Sequence, residues 1–493
     1  MFRSLMWVQG PSGHDEESLL RTRNAPLTKH ADQMARLQRF MIIVLTLLSS
    51  VTILPIIETS LQSLWAKTST PSTFSQMPPL YGAYHDHELE VSRQNGDPQG
   101  AKYLYFANHA RGFGWGYNMQ ELLLHAYVAY RTNRTFVWYN YTWNDDGSKW
   151  TLYNNQPIPS RIPLSAILDG PAVGASVFTD AGAAQPVGIV EEHFYNICPE
   201  STRKKILNED MIATLGREPT ADTIVNEWVK VLSGANDKCV EVPRDALPVF
   251  DIRTTFSPAR LLDVWPGYST SPLLREFRWS PLVELAFETN LALVAPSLAS
   301  ASTSNHTPQS LPTPADSSPM LSASRYTQIP GLLVLHARRG DFQKHCENLA
   351  RLSLGFNGFN SLPELPDRFE ITEADEAERV KRYRPRCFQN IAEIVARAER
   401  AHVEETYGRG RALRDLHVMT NGPTPWVEEL KGALRETGHW SSVTSSRDLV
   451  VNVEQRYVKQ AVDMLIGQRA QVFVGNGVRV IRLALSAACH TVD

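Results

Sequence analysis

One apolar run stands apart from the rest of this chain: positions 40–57 hold no charged residue over 18 positions, enough to cross a bilayer as a helix. Elsewhere the apolar positions come in shorter packets. Tyr103-Leu104-Tyr105-Phe106 precedes a glycine-rich turn, Arg111-Gly112-Phe113-Gly114-Trp115-Gly116-Tyr117. Leu122, Leu123, His125, Ala126, Ala129 and Tyr130 then recur at helical spacing within 118–131, and 135–138 (Thr-Phe-Val-Trp) reads as the next strand. Strand, glycine turn, helix and strand open a doubly wound unit whose turn amides are free to face a ligand. The alternation resumes later. Strands are predicted at 332–335, 415–420 and 471–474, and helices at 387–401, 427–435 and 454–466. Elements of these lengths in this order predict an α/β protein with two facing Rossmann-like domains.

Two polar stretches divide the chain. From residue 58 to about 101 it is rich in Ser, Thr, Pro and Gln and reads as a stem. From 295 to 329 it carries Ser-Leu-Ala-Ser-Ala-Ser-Thr-Ser-Asn and Pro-Thr-Pro-Ala-Asp-Ser-Ser-Pro, the composition of a disordered linker or insertion. The expected organisation is a cytosolic tail over 1–39, an anchor over 40–57, a stem over 58–101, a first lobe over 102–294, the linker over 295–329 and a second lobe over 330–493.

Charge orients this plan. Arg21, Arg23, Lys29, Arg36 and Arg39 precede the apolar run and Glu58 follows it, so the positive-inside bias predicts a type II membrane protein with a lumenal body, in the Golgi or endoplasmic reticulum. A cleaved signal peptide is the rival reading. A lumenal body makes sense of three acceptor triplets for N-glycosylation, at Asn133, Asn140 and Asn305. All five cysteines follow the apolar run. Pairing within each lobe gives Cys198 with Cys239 and Cys346 with Cys387, with reduced, buried thiols as the alternative. A net charge of −3 argues against a nucleic-acid partner held by a broad basic face.

The chemistry concentrates at His336-Ala337-Arg338-Arg339-Gly340-Asp341, directly after the apolar run Gly331-Leu332-Leu333-Val334-Leu335. Two guanidiniums emerge where a buried strand ends, the usual ligand position of an open α/β sheet. Arginine fits phosphate oxygens bidentately, and Gly340 allows close backbone approach. A loop of merely solvated arginines is the alternative. There is no Asp-x-Asp triplet and no zinc-spaced Cys/His set.

Four segments together resemble the GDP-fucose protein O-fucosyltransferase family, in that family's order. They are Gly112-Phe113-Gly114 through Asn118 to Leu124; Asn133-Arg134-Thr135; His336 through Phe342; and Ala461-Val462-Asp463-Met464-Leu465-Ile466 followed by Val472-Phe473-Val474-Gly475-Asn476. The resemblance implies a GT-B-like fold and an inverting, metal-independent transfer of fucose from GDP-fucose, without a cofactor, to a Ser/Thr hydroxyl of a protein or to a glycan. It implies that Arg338 stabilises the departing β-phosphate. It places His336, Arg339, Asp341, Gly114, Asn118, Asp463 and Asn476 around the nucleotide sugar, with Arg339 equally suited to holding Asp341 and shaping the loop.

The chain departs from the family twice. Arg111 stands where some members carry a glutamate base, and Glu121 is left between that role and a surface position. After Gly475-Asn476 the family's phosphate-binding Ser/Thr pair is replaced by Gly477-Val478-Arg479-Val480, and intron read-through is the expected origin of the last 16 or so residues. These departures favour the second reading, a catalytically inactive relative that binds a sugar nucleotide or glycoprotein as an adaptor. A nucleotide-sulfate-dependent sulfotransferase is a third.

Overall fold

The computed structural model describes residues 80–95, 100–153, 156–177, 188–301, 322–340, 342–365, 368–372 and 375–475. The expected tail, anchor and most of the stem, together with Asn305, Asp341, Asn476 and the residues that follow, lie outside the described residues. Among the described residues no helix is long and apolar enough to cross a membrane.

The first lobe is built on a five-stranded parallel sheet. In chain order its main elements are helix α1 (Gly82–Asn95), strand β1 (Tyr103–Phe106), helix α2 (Trp115–Arg131), β2 (Thr135–Trp138), the hairpin β3 (Trp150–Tyr153) and β4 (Gln156–Pro159), β5 (Ile189–Val190), β6 (Arg203–Lys205), α3 (Ala221–Ser233) and β7 (Cys239–Val242). The strand order is β5-β2-β1-β7-β6. Parallel strands covered on both faces are apolar throughout, which is why β1 and β2 stand out in the sequence as buried tetrads.

Helix α4 (Pro281–Val294) leads toward the second lobe, which contains β8 (Ile329–His336), α5 (Phe342–Arg351), α6 (Glu376–Cys387), α7 (Ile391–Val403), β9 (Asp415–Met419), α8 (Thr424–Glu436), β10 (Ser442–Ser445), α9 (Gln455–Gln468) and β11 (Ala470–Gly475). Its parallel sheet has the order β10-β9-β8-β11. Counted within the sheet this is 3-2-1-4, the order of a nucleotide-binding half, and the topological switch falls between β8 and β11. Alternation along β8 sends Leu332 and Val334 into the core continuous with the first lobe, and Leu333 and Leu335 into a separate core with Leu416, Val418 and Leu430. The cysteines pair as Cys198–Cys239 and Cys346–Cys387, each with Cα atoms 5.9 Å apart.

Helix α1 begins inside the expected stem, and the folded body therefore starts before residue 102. Its fully buried positions are polar and its apolar ones, Tyr84, Leu89 and Val91, are only partly buried, so hydrophobic periodicity does not reveal it. Glu88 and Ser92 are its buried residues; the Ser165 amide donates to Glu88 Oε1 at 2.8 Å, the Val190 amide donates to Ser92 Oγ at 2.9 Å, and the Tyr81 hydroxyl just before the helix donates to the Glu454 carbonyl. The expected linker is likewise folded at its two ends. Helices run over Pro296–Ala301 and Ser322–Arg325, and the Ser297 hydroxyl donates to Asp415 Oδ1 at 3.1 Å.

Burial pushes the Glu88 carboxyl up to about 7 from 4.5, the Ser165 hydrogen bonds only partly opposing it. With the folded-state value above the unfolded one, the unfolded chain ionises first, and stability falls as pH rises from about 4.5 to about 7. Glu88→Gln is expected to remove that fall, a gain on the order of 3 kcal/mol above pH 7 and little below pH 4.5. Urea unfolding at pH 4.5 and pH 8 checks it; equal effects at both would contradict the assignment.

Candidate nucleotide-sugar site

The C-terminal end of β8 lies at the topological switch of the second sheet. His336 is in register with Met419 of β9 on one side and Gly475 of β11 on the other. The loop leaving it is tied down at Ala337 and Arg339. The Ala337 amide donates to the Met419 carbonyl at 2.9 Å, the Thr420 hydroxyl donates to the Ala337 carbonyl at 2.6 Å, and the Arg339 amide donates to Asn421 Oδ1 at 2.7 Å. Gly340 has φ +69°, in the left-handed region where a side chain is strained, and a Cβ there would come within 3.3 Å of the Asn421 amide nitrogen.

The two arginines part company. Arg339 is buried, its guanidinium sandwiched 4.3 Å from the Phe388 ring and 4.2 Å from the Trp426 ring and donating to the Gln389 carbonyl. That fork is used inside the lobe. Arg339→Ala is expected to cost about 3 kcal/mol of stability, from a desolvated cation–π sandwich and a charged hydrogen bond; a loss below about 1 kcal/mol in a urea titration would mean the sandwich is dispensable. Arg338 is half-buried, lies 5.5 Å from the centre of the Phe342 ring, and has a buried Nε without a hydrogen-bond partner among the described residues. Burial pushes the Tyr141 hydroxyl of the first lobe up, and the Arg338 charge partly opposes that rise.

Asp463, on α9, sits beneath this loop. Its Oδ2 accepts from the Ser446 hydroxyl at 2.6 Å and its Oδ1 is 3.3 Å from His417 Nε2, while His417 Nδ1 is 3.0 Å from Thr444 Oγ1. Ser446 Oγ in turn accepts from the Thr420 amide at 2.9 Å. Asp463 thus reaches the arginine loop through Ser446 and Thr420, a chain assembled from three elements that sequence reading did not connect.

The glycine turn of the first lobe leads into α2. Gly114 is its exposed N-cap, and the Asn118 amide donates to the Phe113 and Gly114 carbonyls at 2.9 and 3.2 Å, so Asn118 orders the turn. Tyr141 braces the same turn, its hydroxyl donating to the Phe113 carbonyl at 3.1 Å. Arg111 is turned inward, donating to the His109 and Ala107 carbonyls and pairing with Asp145 at 3.0 Å. Glu121 is buried rather than on the surface. It accepts the Ala110 amide at 2.7 Å, and burial pushes its carboxyl up to about 7.

Among the described residues no three His, Cys, Asp or Glu side chains converge as a metal site. Of the acceptor triplets, Asn133 is exposed at φ +52°, whereas the Asn140 amide donates to Glu191 Oε1 at 3.3 Å. Tyr141 and Trp143 are the functional candidates that sequence reading missed. Their signal was the aromatic density of Trp138-Tyr139-Asn140-Tyr141-Thr142-Trp143 after β2.

No protein family's sequence profile matches the chain, and no curated protein matches it in sequence. Among solved structures it is similar to POFUT1 in complex with GDP, at 13% identity and a TM-score of 0.42, covering 80% of this chain and 95% of that one. A complex of POFUT1 with GDP-fucose matches with the same identity and coverage at a TM-score of 0.43.

Proposed function

We propose that this chain is a glycosyltransferase of GT-B-like architecture that moves fucose from GDP-fucose to a hydroxyl of a protein Ser/Thr or of a glycan, with inversion and without a metal. The observation that carries the reading is Arg338: a half-buried guanidinium just past the end of β8, at the switch point of a 3-2-1-4 parallel sheet, whose Nε has no hydrogen-bond partner among the described residues. In the proposed reaction the acceptor hydroxyl oxygen attacks the anomeric carbon as its proton passes to water, the bond to the β-phosphate oxygen breaks, and negative charge gathers on the leaving GDP. A fixed guanidinium there stabilises the transition state more than the bound donor. His336 borders the same switch point, and the family resemblance extends the proposed donor contacts to Gly114, Asp341 and Asn476. No residue is assigned as the base.

The protein is proposed to be a type II membrane protein of the Golgi or endoplasmic reticulum with this body in the lumen. Two disulfides support an oxidising compartment. The adaptor reading draws on one observation: Asn118, Arg339 and Asp463 all spend hydrogen-bonding capacity within the protein.

Calorimetry with GDP, GDP-fucose and adenosine 3′,5′-bisphosphate, together with GDP-fucose hydrolysis, tests the proposal. Binding of the two guanine nucleotides with turnover that depends on Arg338 supports the transferase. Binding without turnover on any acceptor supports the adaptor. Failure to bind either guanine nucleotide would sink both.

A further inference from the structure

Beside the candidate donor site the first lobe carries a run of aromatic rings that the donor chemistry does not use. It starts at Tyr141, on which the Arg338 charge acts, with the Trp115 ring 5.2 Å from it. From Tyr141 it continues to Trp143 at 5.9 Å and to Tyr153 of β3 at 4.8 Å between ring centres. The glycine turn lies alongside, its Gly112 amide donating to the Thr142 carbonyl at 3.0 Å, with Phe113 packed 5.1 Å from Tyr117. The outer end is open to solvent: Phe113 is 54% exposed, Tyr153 44% and Leu152 77%. At the base of the hairpin Trp150 meets Tyr457 of α9 at 5.9 Å, which holds the shelf against the second lobe.

We infer that this shelf binds the acceptor, and that the acceptor is a neutral saccharide whose apolar ring face lies on Trp143 and Tyr153. The inference rests on the transferase reading above, since it places the acceptor hydroxyl next to the Arg338 loop. Two observations select the occupant. Asp145 at the rim pairs with Arg111 at 3.0 Å and Arg244 at 2.5 Å, so this carboxylate is already neutralised within the protein. The hairpin also resists an extended peptide. In β4, Pro157 and Pro159 are in register with Leu152 and Trp150, and their missing amides leave the outer edge without donors at two alternate positions. Aromatic faces with a few fixed polar groups at the rim suit a ligand with an apolar face and hydroxyl edges.

The test uses the full chain and calorimetry with chitotriose, mannotriose and lactose, alongside an unglycosylated Ser/Thr peptide, each with and without GDP. At least one saccharide is expected to bind. Tyr153→Ala should weaken that binding by about tenfold, Tyr153→Phe should retain it, and GDP affinity should be unchanged in both. Tyr153 is exposed, so its loss leaves the core intact. The inference is overturned if none of the saccharides binds, if binding survives Tyr153→Ala, or if the peptide binds in a Tyr153-dependent way instead. Loss of the donor reading registers separately, as wild-type protein that takes a saccharide on the shelf but no GDP.

Discussion

Arg338→Ala is expected to lower GDP-fucose turnover by about 10²- to 10³-fold, the loss typical of removing one preorganised donor to a developing oxyanion. The same change should leave stability within about 1 kcal/mol. Arg338 is half-buried beside the Phe342 ring, and its Nε has no hydrogen-bond partner among the described residues, so little packing depends on it. Arg338→Lys is expected to recover only a small part of the rate, since an ammonium keeps the charge but loses the planar fork. Turnover measured with and without acceptor, beside a urea titration of each variant, separates the outcomes. Turnover within threefold of wild type in Arg338→Ala would remove the residue from the reaction. An equally large loss in Arg339→Ala, explained by unfolding, would leave the assignment to Arg338 intact.

Replacing Cys198 and Cys239 together by alanine is expected to cost about 4 kcal/mol, the chain-entropy value for a loop of this length, for a sequence separation of 41. Both cysteines are buried, at 0% and 2% exposure. Cys239 opens β7, which pairs with β1 in the centre of the first sheet. Loosening that end also loosens the sheet that carries the glycine turn. Unfolding in oxidised and reduced protein, compared with the double variant, checks the figure. A difference under about 1 kcal/mol would mean that the bond contributes little, and with it the stability case for an oxidising compartment.

Much of the second lobe was readable in advance. The strand expected at 332–335 runs as Ile329–His336, that at 415–420 as Asp415–Met419, and that at 471–474 as Ala470–Gly475. Strands buried on both faces need unbroken apolar runs, and such runs survive in any reading of the sequence. The helix expected at 387–401 runs as α7, Ile391–Val403, its start set by the Asn390 cap, while Cys387 closes α6. Helix α1 escaped notice because its fully buried residues are Glu88 and Ser92, whose partners lie on Ser165 and Val190, more than 70 residues away.

The sequence by itself determined the α/β alternation and the placing of paired arginines at a strand end, because both follow from local apolar runs and the residues next to them. Only the tertiary structure decided which arginine is free. Arg339 is captured by Phe388, Trp426 and the Gln389 carbonyl, and Arg338 is half-buried beside the Phe342 ring. It also turned Asn118 and Asp463 toward their own lobes and brought Tyr141, Trp143 and Tyr153 together beside the glycine turn. The physical reason is the same in each case: a polar or aromatic side chain takes its role from partners that meet it only after the chain has folded, and spacing along the sequence does not encode them.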